Sequence, residues 1–197
     1  MATTQESISP DLARWIDQQH VFFVATAPLA AGGHVNCSPK GGDGFRVLGP
    51  SEVAYLDLTG SGAETIAHLK ENGRIVFMFC AFEGPPKIVR LHGTGSVVEP
   101  GGPRYEELRE QFARGGGRPE GRPLPIGDFP TGARAIITAT ITRVSDSCGY
   151  SVPRLDFVAD RDALEKWSEK KGADGLRQYR EEKNASSIDG LPALRLS

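Results

Sequence analysis

The chain of 197 residues holds only three cysteines, Cys37, Cys80 and Cys148. So odd and scattered a set offers neither a disulfide framework nor a cysteine zinc site, and it fits the reduced thiols of a cytoplasmic protein. The longest unbroken apolar run, Ile75 to Phe82, falls far short of the roughly 20 residues a membrane helix needs. No membrane partner is expected. Glu6 and Asp11 precede the first basic residue, Arg14, so the basic start of a secretory leader is not expected either. Charge of one sign is also lacking: 23 basic against 25 acidic side chains leave a formal −2, which gives no reason to expect nucleic acid as a partner. The four histidines, His20, His34, His68 and His92, fall at no metal-ligand spacing, and no metal is expected.

What the chain does have is turn formers, with 24 glycines and 14 prolines beside a hydrophobic content of 39%. That is rich in turns yet globular, and at this length it reads as one domain of many short strands. Ser9-Pro10-Asp11 provides a cap, a proline at the first helical position and an acid in the first turn, so a helix is expected to about Gln19. Val21 to Ala27 and His34 to Ser38 read as a hairpin around Gly32-Gly33, continued by Arg46 to Leu48 and, after a Gly49-Pro50 turn, Glu52 to Leu58. The period then changes: Ile66 and Leu69 fall on a helical stripe ending at Asn72-Gly73. Arg74 to Phe82 and Lys87 to Glu99 are the strongest strands, joined by the turn Glu83-Gly84-Pro85-Pro86. Tyr105 to Ala113 reads as a helix, Arg114 to Arg122 as a solvated loop, and Ala135 to Val144 as the last strand. Helices Arg161 to Lys171 and Ala173 to Glu182, split by Gly172, follow the irregular Cys148 to Pro153 segment. About six neighbouring strands around one buried helix predict a mainly β, α+β fold: a six-stranded antiparallel barrel over about 20–147, with peripheral helices and a helical extension over about 154–197.

Two stretches carry candidate chemistry. Leu58 to Thr65 is a polar, Gly-rich strand-to-helix junction whose free N–H groups and hydroxyls at Thr59, Ser61 and Thr65 suit a phosphate. The competing reading is a plain capping box, with Ser61 as cap and Glu64 three residues on. Asn36 to Asp43 ends an extended piece with an amide, a hydroxyl and one lysine, Lys40. That lysine either places charge beside an anion or is a solvated hairpin residue. Gly93-Thr94-Gly95 lies inside a strand, so a dinucleotide fingerprint is rejected.

The order of Phe22–Ala27, Asn36-x-Ser38-Pro39-Lys40-Gly41, Tyr55-Leu56-Asp57-Leu58-Thr59-Gly60-Ser61-Gly62 and His68-Leu69 through Asn72-Gly73-Arg74-Ile75 resembles the pyridoxamine 5'-phosphate oxidase-like FMN-binding split-barrel family. Cys148 to Pro153 and Ser187 to Pro192 look like signatures of one branch of it. The resemblance implies a homodimer holding FMN in clefts between subunits. Its contacts would come from Asn36, Ser38, Lys40, Thr59, Ser61, Gly62, Thr65, Cys148 and Tyr150. The implied activity is a flavin-dependent oxidoreductase of a small molecule, with no residue assigned as acid or base. The alternative is a binding protein for a flavin, deazaflavin or heme. Many members open the central helix with Arg-Lys, where this chain has Glu64-Thr65, and no histidine follows His92. The late Arg-x-His of the oxidase proper is therefore missing, and oxidation of pyridoxamine phosphate itself is not expected.

Overall fold

The structure, a computed structural model, describes residues 3–113 and 129–195. The elements in order are β1 (Thr3–Gln5), α1 (Pro10–Asp17), β2 (Phe22–Thr26), β3 (Asn36–Lys40), β4 (Phe45–Gly49) and β5 (Glu52–Leu58). They continue with α2 (Glu64–Asn72), β6 (Arg74–Cys80), β7 (Ile88–Val98), α3 (Pro103–Ala113), β8 (Ala133–Ser147) and α4 (Ala163–Lys183). The start of α1 follows from its cap: Ser9 Oγ accepts from the Leu12 N–H at 3.2 Å and Pro10 fills the first turn. Gly73, at φ 73°, closes α2 in the left-handed conformation, its N–H bonded to the carbonyls of His68 and Leu69.

All strand pairs are antiparallel, in the order β3-β2-β6-β7-β8-β5-β4. β8, at 15 residues, is long enough to pair with β7 along one edge and with β5 and then β1 along the other. The sheet is rolled, because Phe22 of β2 meets Phe45 of β4 edge-on at 4.9 Å although their strands lie near opposite ends of the order. β3 and β4 share no ladder, which leaves the barrel split between them. Phe22, Phe45, Tyr55, Phe77 and Phe79 fill the interior, and α2 adds Ile66, Ala67 and Leu69 to the same core. Outside the barrel, α3 lays Tyr105, Leu108 and Phe112 over Ala54, Leu56 and Ile136. Strand β5 is thus buried on both faces, which explains its near-continuous apolar character.

Several expectations need correction. The described residues form eight strands rather than six: β1 was unforeseen, being short and polar, and it exists because β8 overruns β5 and exposes a free edge. The hairpin partner of β2 is Asn36–Lys40 rather than His34 to Ser38, so its connection is a long loop. The Ser61–Glu64 capping box is not made: Ala63 precedes α2 without any side-chain hydrogen bond, and Ser61 is exposed. The extension is helical only over Ala163–Lys183, broken in two at Gly172 as expected, with irregular segments on either side. The loop expected at Arg114 to Arg122 lies outside the described residues. Among the described residues, no helix is long and apolar enough to cross a membrane.

Candidate functional site

β3 is the edge strand at the split, and its pleat decides which side chains face inward. Asn36, Ser38 and Lys40 are half-buried, whereas Cys37 and Pro39 are exposed. Their cross-strand neighbours Thr26, Val24 and Phe22 point into the core, so the three predicted site residues share the inner face of an edge strand. That placement is costly for polar groups unless they are paired. Asn36 answers it by donating Nδ2 to Thr65 Oγ1 at 3.0 Å, across to the first turn of α2, and to Thr26 Oγ1 at 3.4 Å. Thr26 Oγ1 lies 2.9 Å from His68 Nδ1. Thr26 Oγ1 thus links Asn36 to the His68 ring, whose Nε2 has no partner among the described residues. Burial holds the His68 pKa below its ordinary value, and the ring is neutral.

Lys40, at the other end of the same face, points its Nζ toward Asp57 Oδ1 at 3.9 Å, too far for a hydrogen bond. Asp57 is 1% exposed, and its Oδ2 accepts from Arg134 Nε at 2.7 Å. Burial lowers the Lys40 pKa, Asp57 opposes that, and Arg134 adds to it. Lys40, 29% exposed, is therefore no solvated hairpin lysine but the half-buried side of a charged triad at the split.

The Thr59 to Thr65 junction is gathered by the C-terminal extension. Thr59 is fully buried; its hydroxyl donates to the Gly132 carbonyl at 2.8 Å and accepts from Arg180 Nε at 2.9 Å. Asn184 Nδ2 donates to the Gly60 carbonyl at 2.9 Å, and the Ile188 N–H to Glu64 Oε1 at 3.3 Å. Glu64 folds back over Gly62 so closely that a Cβ there would lie 2.2 Å from Oε2, so a side chain at this position would push the Glu64 carboxylate aside. The Asp189 carboxylate accepts from the His34 N–H at 2.8 Å and lies 2.7 Å from its Nδ1. These hydrogen bonds hold the Asp189 carboxyl below its usual pKa.

Asn36, Ser38, Lys40 and Thr65 thus come together on β3 and α2, and Thr59, Ser61 and Gly62 form the adjoining junction. Cys148 and Tyr150, both exposed, lie just beyond β8, four strands from β3 in the sheet order. A single chain does not bring them to the other seven. Sequence reasoning missed Arg134, Arg180, Asn184 and Asp189. A signal existed for Arg134, since a charged residue opening an apolar strand needs a counter-ion and Asp57 sits in another apolar strand. Nothing local marks Arg180 or Asn184, whose side-chain partners lie between 47 and 124 residues away.

Similarity to known proteins agrees with this architecture. The pyridoxamine 5'-phosphate oxidase family model matches residues 8–148. The chain is 42% identical over 204 residues to the pyridoxamine 5'-phosphate oxidase family protein ustO of Aspergillus flavus, covering 96% of this chain and 76% of that protein. Its fold resembles crystal structures of HupZ from Group A Streptococcus. One, a variant, is 21% identical with a TM-score of 0.53, covering 71% of this chain and 99% of that one. The other is 22% identical with a TM-score of 0.51, covering 70% and 91%. The matched stretch runs from α1 to the end of β8, the whole barrel with its split at β3, and on that sequence likeness the chain belongs to the pyridoxamine 5'-phosphate oxidase family.

Proposed function

We propose that the protein binds FMN along the inner face of β3 and acts as a flavin-dependent oxidoreductase on a small molecule. The observation that carries this reading is the row Asn36, Ser38, Lys40: polar side chains half-buried at the open edge of a barrel, joined to the first turn of α2 by the Asn36–Thr65 hydrogen bond. The residues fit a flavin in two respects. Lys40 has donors that no described group satisfies, suited to the oxygen-rich pyrimidine edge of the ring. The first N–H groups of α2 lack a side-chain cap, suited to a phosphate. Glu64 in the same turn works against a phosphate there, whereas a cation, Arg180, sits beside Thr59. When bound, the flavin supplies the electron transfer. The chain's part is to orient the ring through Asn36 and Ser38 and to set its potential through Lys40.

The absorption spectrum of the purified protein tests the cofactor, and mixing with reduced nicotinamide separates an enzyme from a carrier. Thr65→Val removes the acceptor that orients Asn36, and flavin affinity should fall by about 1 to 3 kcal/mol, with a smaller change in stability. Unaltered flavin retention on gel filtration would remove this junction from the site. Lys40→Met should lower the reduction potential of the bound flavin, because the added electrons lose a neighbouring positive charge. A potential equal to wild type would take Lys40 away from the ring.

The same reading includes a two-fold homodimer. α3 covers the outer face of β5 and β8, but on the outer face of β2 and β6 the cross-strand pairs Phe23–Met78 and Ala25–Val76 stay only half-buried. A second copy over this face would bury apolar surface in the obligate class, above about 2,000 Å² in total, and would bring the exposed Cys148 and Tyr150 of one protomer toward the other's cofactor. Light scattering at low micromolar concentration should give twice the chain mass; a flavin-loaded monomer would end both the interface and the shared site. The free cysteines are in keeping with a cytoplasmic location.

A further inference from the structure

Arg177 and Arg180 lie three residues apart in α4, so they share one face of the helix. That face looks into a cavity of about 950 Å³, which Arg134 lines from the start of β8. Five basic and two acidic side chains line the cavity. One of the acids is already neutralised: Glu99 is held by Lys70 Nζ at 2.6 Å and by the Arg195 N–H at 3.3 Å. Glu181 is the other.

The arginines are less well provided for. Arg180 has no carboxylate partner among the described residues; its donors go to Thr59 Oγ1 and, at 3.5 and 3.3 Å, to the carbonyls of Gly132 and Ala133. Arg134 is only 6% exposed, pairs with Asp57 through Nε alone, and leaves Nη1 without a partner. Arg177 reaches Asp174 at 3.0 Å in solvent. Burial and then the neighbouring Arg134 charge pull the Arg180 pKa below its ordinary value. Gathering like charges around a partly buried cavity, one with an unsatisfied donor, costs folding free energy that the Asp57 and Asp174 carboxylates offset only in part among the described residues.

We infer that this cavity is an oxyanion site, in which Arg134, Arg177 and Arg180 take the phosphate or carboxylate group of a small molecule. A guanidinium suits such a group because its planar fork donates two parallel hydrogen bonds to two oxygens. The position of Arg180, bridged to the Thr59 junction, places the site beside the α2 start that lacks a basic pair. The inference stands without the flavin reading, since inorganic phosphate alone is its probe.

Phosphate should bind the wild-type chain in the millimolar range or tighter by calorimetry at fixed ionic strength, and raise its melting temperature above that in chloride. Arg177→Gln, which removes a solvent-exposed side chain and is expected to fold normally, should weaken phosphate at least about tenfold, as should Arg180→Gln. No binding to wild type, or equal binding to the double variant, would overturn the site. Comparing FMN with riboflavin identifies the source of the anion. If the double variant loses the preference for FMN, the flavin phosphate occupies the cavity; if the preference survives while phosphate binding is lost, the oxyanion belongs to a substrate. Phosphate binding without any flavin binding would sink the flavin reading and leave this site standing.

Discussion

Asp57→Ala should cost about 3 to 5 kcal/mol of stability, the range for breaking a buried ion pair from one side. The carboxylate is 1% exposed and is the counter-ion both of Arg134, at 2.7 Å, and of Lys40, at 3.9 Å. Its removal leaves two cations at the split with no anion between them. The two respond differently. Arg134 stays charged at any accessible pH, whereas Lys40, whose pKa is already lowered by burial, can give up its proton. A lysine whose folded pKa lies below its unfolded value destabilises the fold while protonated, and that penalty fades as pH rises from the folded pKa toward the unfolded one. The variant should therefore regain part of its loss between neutral pH and about 10.4, the unperturbed lysine value. Adding Arg134→Met and Lys40→Met should restore much of the rest, since an apolar replacement of a whole buried ion cluster is often neutral or better. Urea unfolding of the three proteins across pH decides the matter. A single variant as stable as wild type at pH 7 would mean that the triad is solvated.

Phe22→Ala should be as damaging, by about 3 to 5 kcal/mol, the usual cost of emptying a buried aromatic site. For a chain of this size that is a fall of roughly 6 to 20 °C in Tm. Phe22 is 1% exposed and meets Phe45 at 4.9 Å, Tyr55 at 5.8 Å and Phe79 at 5.8 Å. It bridges opposite ends of the rolled sheet, so the cavity left behind sits where the barrel closes. It also lies directly across from Lys40 in the ladder. Loss of the ring should loosen the edge strand that carries Asn36, Ser38 and Lys40, and flavin retention should fall along with Tm. Phe22→Leu, which keeps most of the volume, should recover both. Calorimetry showing only a small change for the alanine variant would mean that α2 or the neighbouring rings collapse into the space.

The dipeptides and periodicities of the chain were enough to place α1, α2, the β6–β7 hairpin and the helix break at Gly172, because caps, turns and alternation act within a few residues. Strand alternation also placed Val53 and Tyr55 on the face opposite Ala54 and Leu56, as the two cores have them. The order of short motifs carried the family likeness, since each marks a turn or a strand end whose chemistry is local. Tertiary structure alone decided the rest. That Ser61 caps nothing depends on α2 beginning only at Glu64, with Ala63 in the cap position, and that β1 exists depends on the overrun of β8 past β5. Lys40 reads equally well as a surface lysine until β5 and β8 bring Asp57 and Arg134 beside it. The arginines of α4 carry no signal of their own, because Arg180 gains its meaning from Thr59, 121 residues earlier. Local propensity is set by backbone sterics and neighbouring side chains, whereas charge pairing across a rolled sheet is set by distance in space, which a linear pattern does not contain.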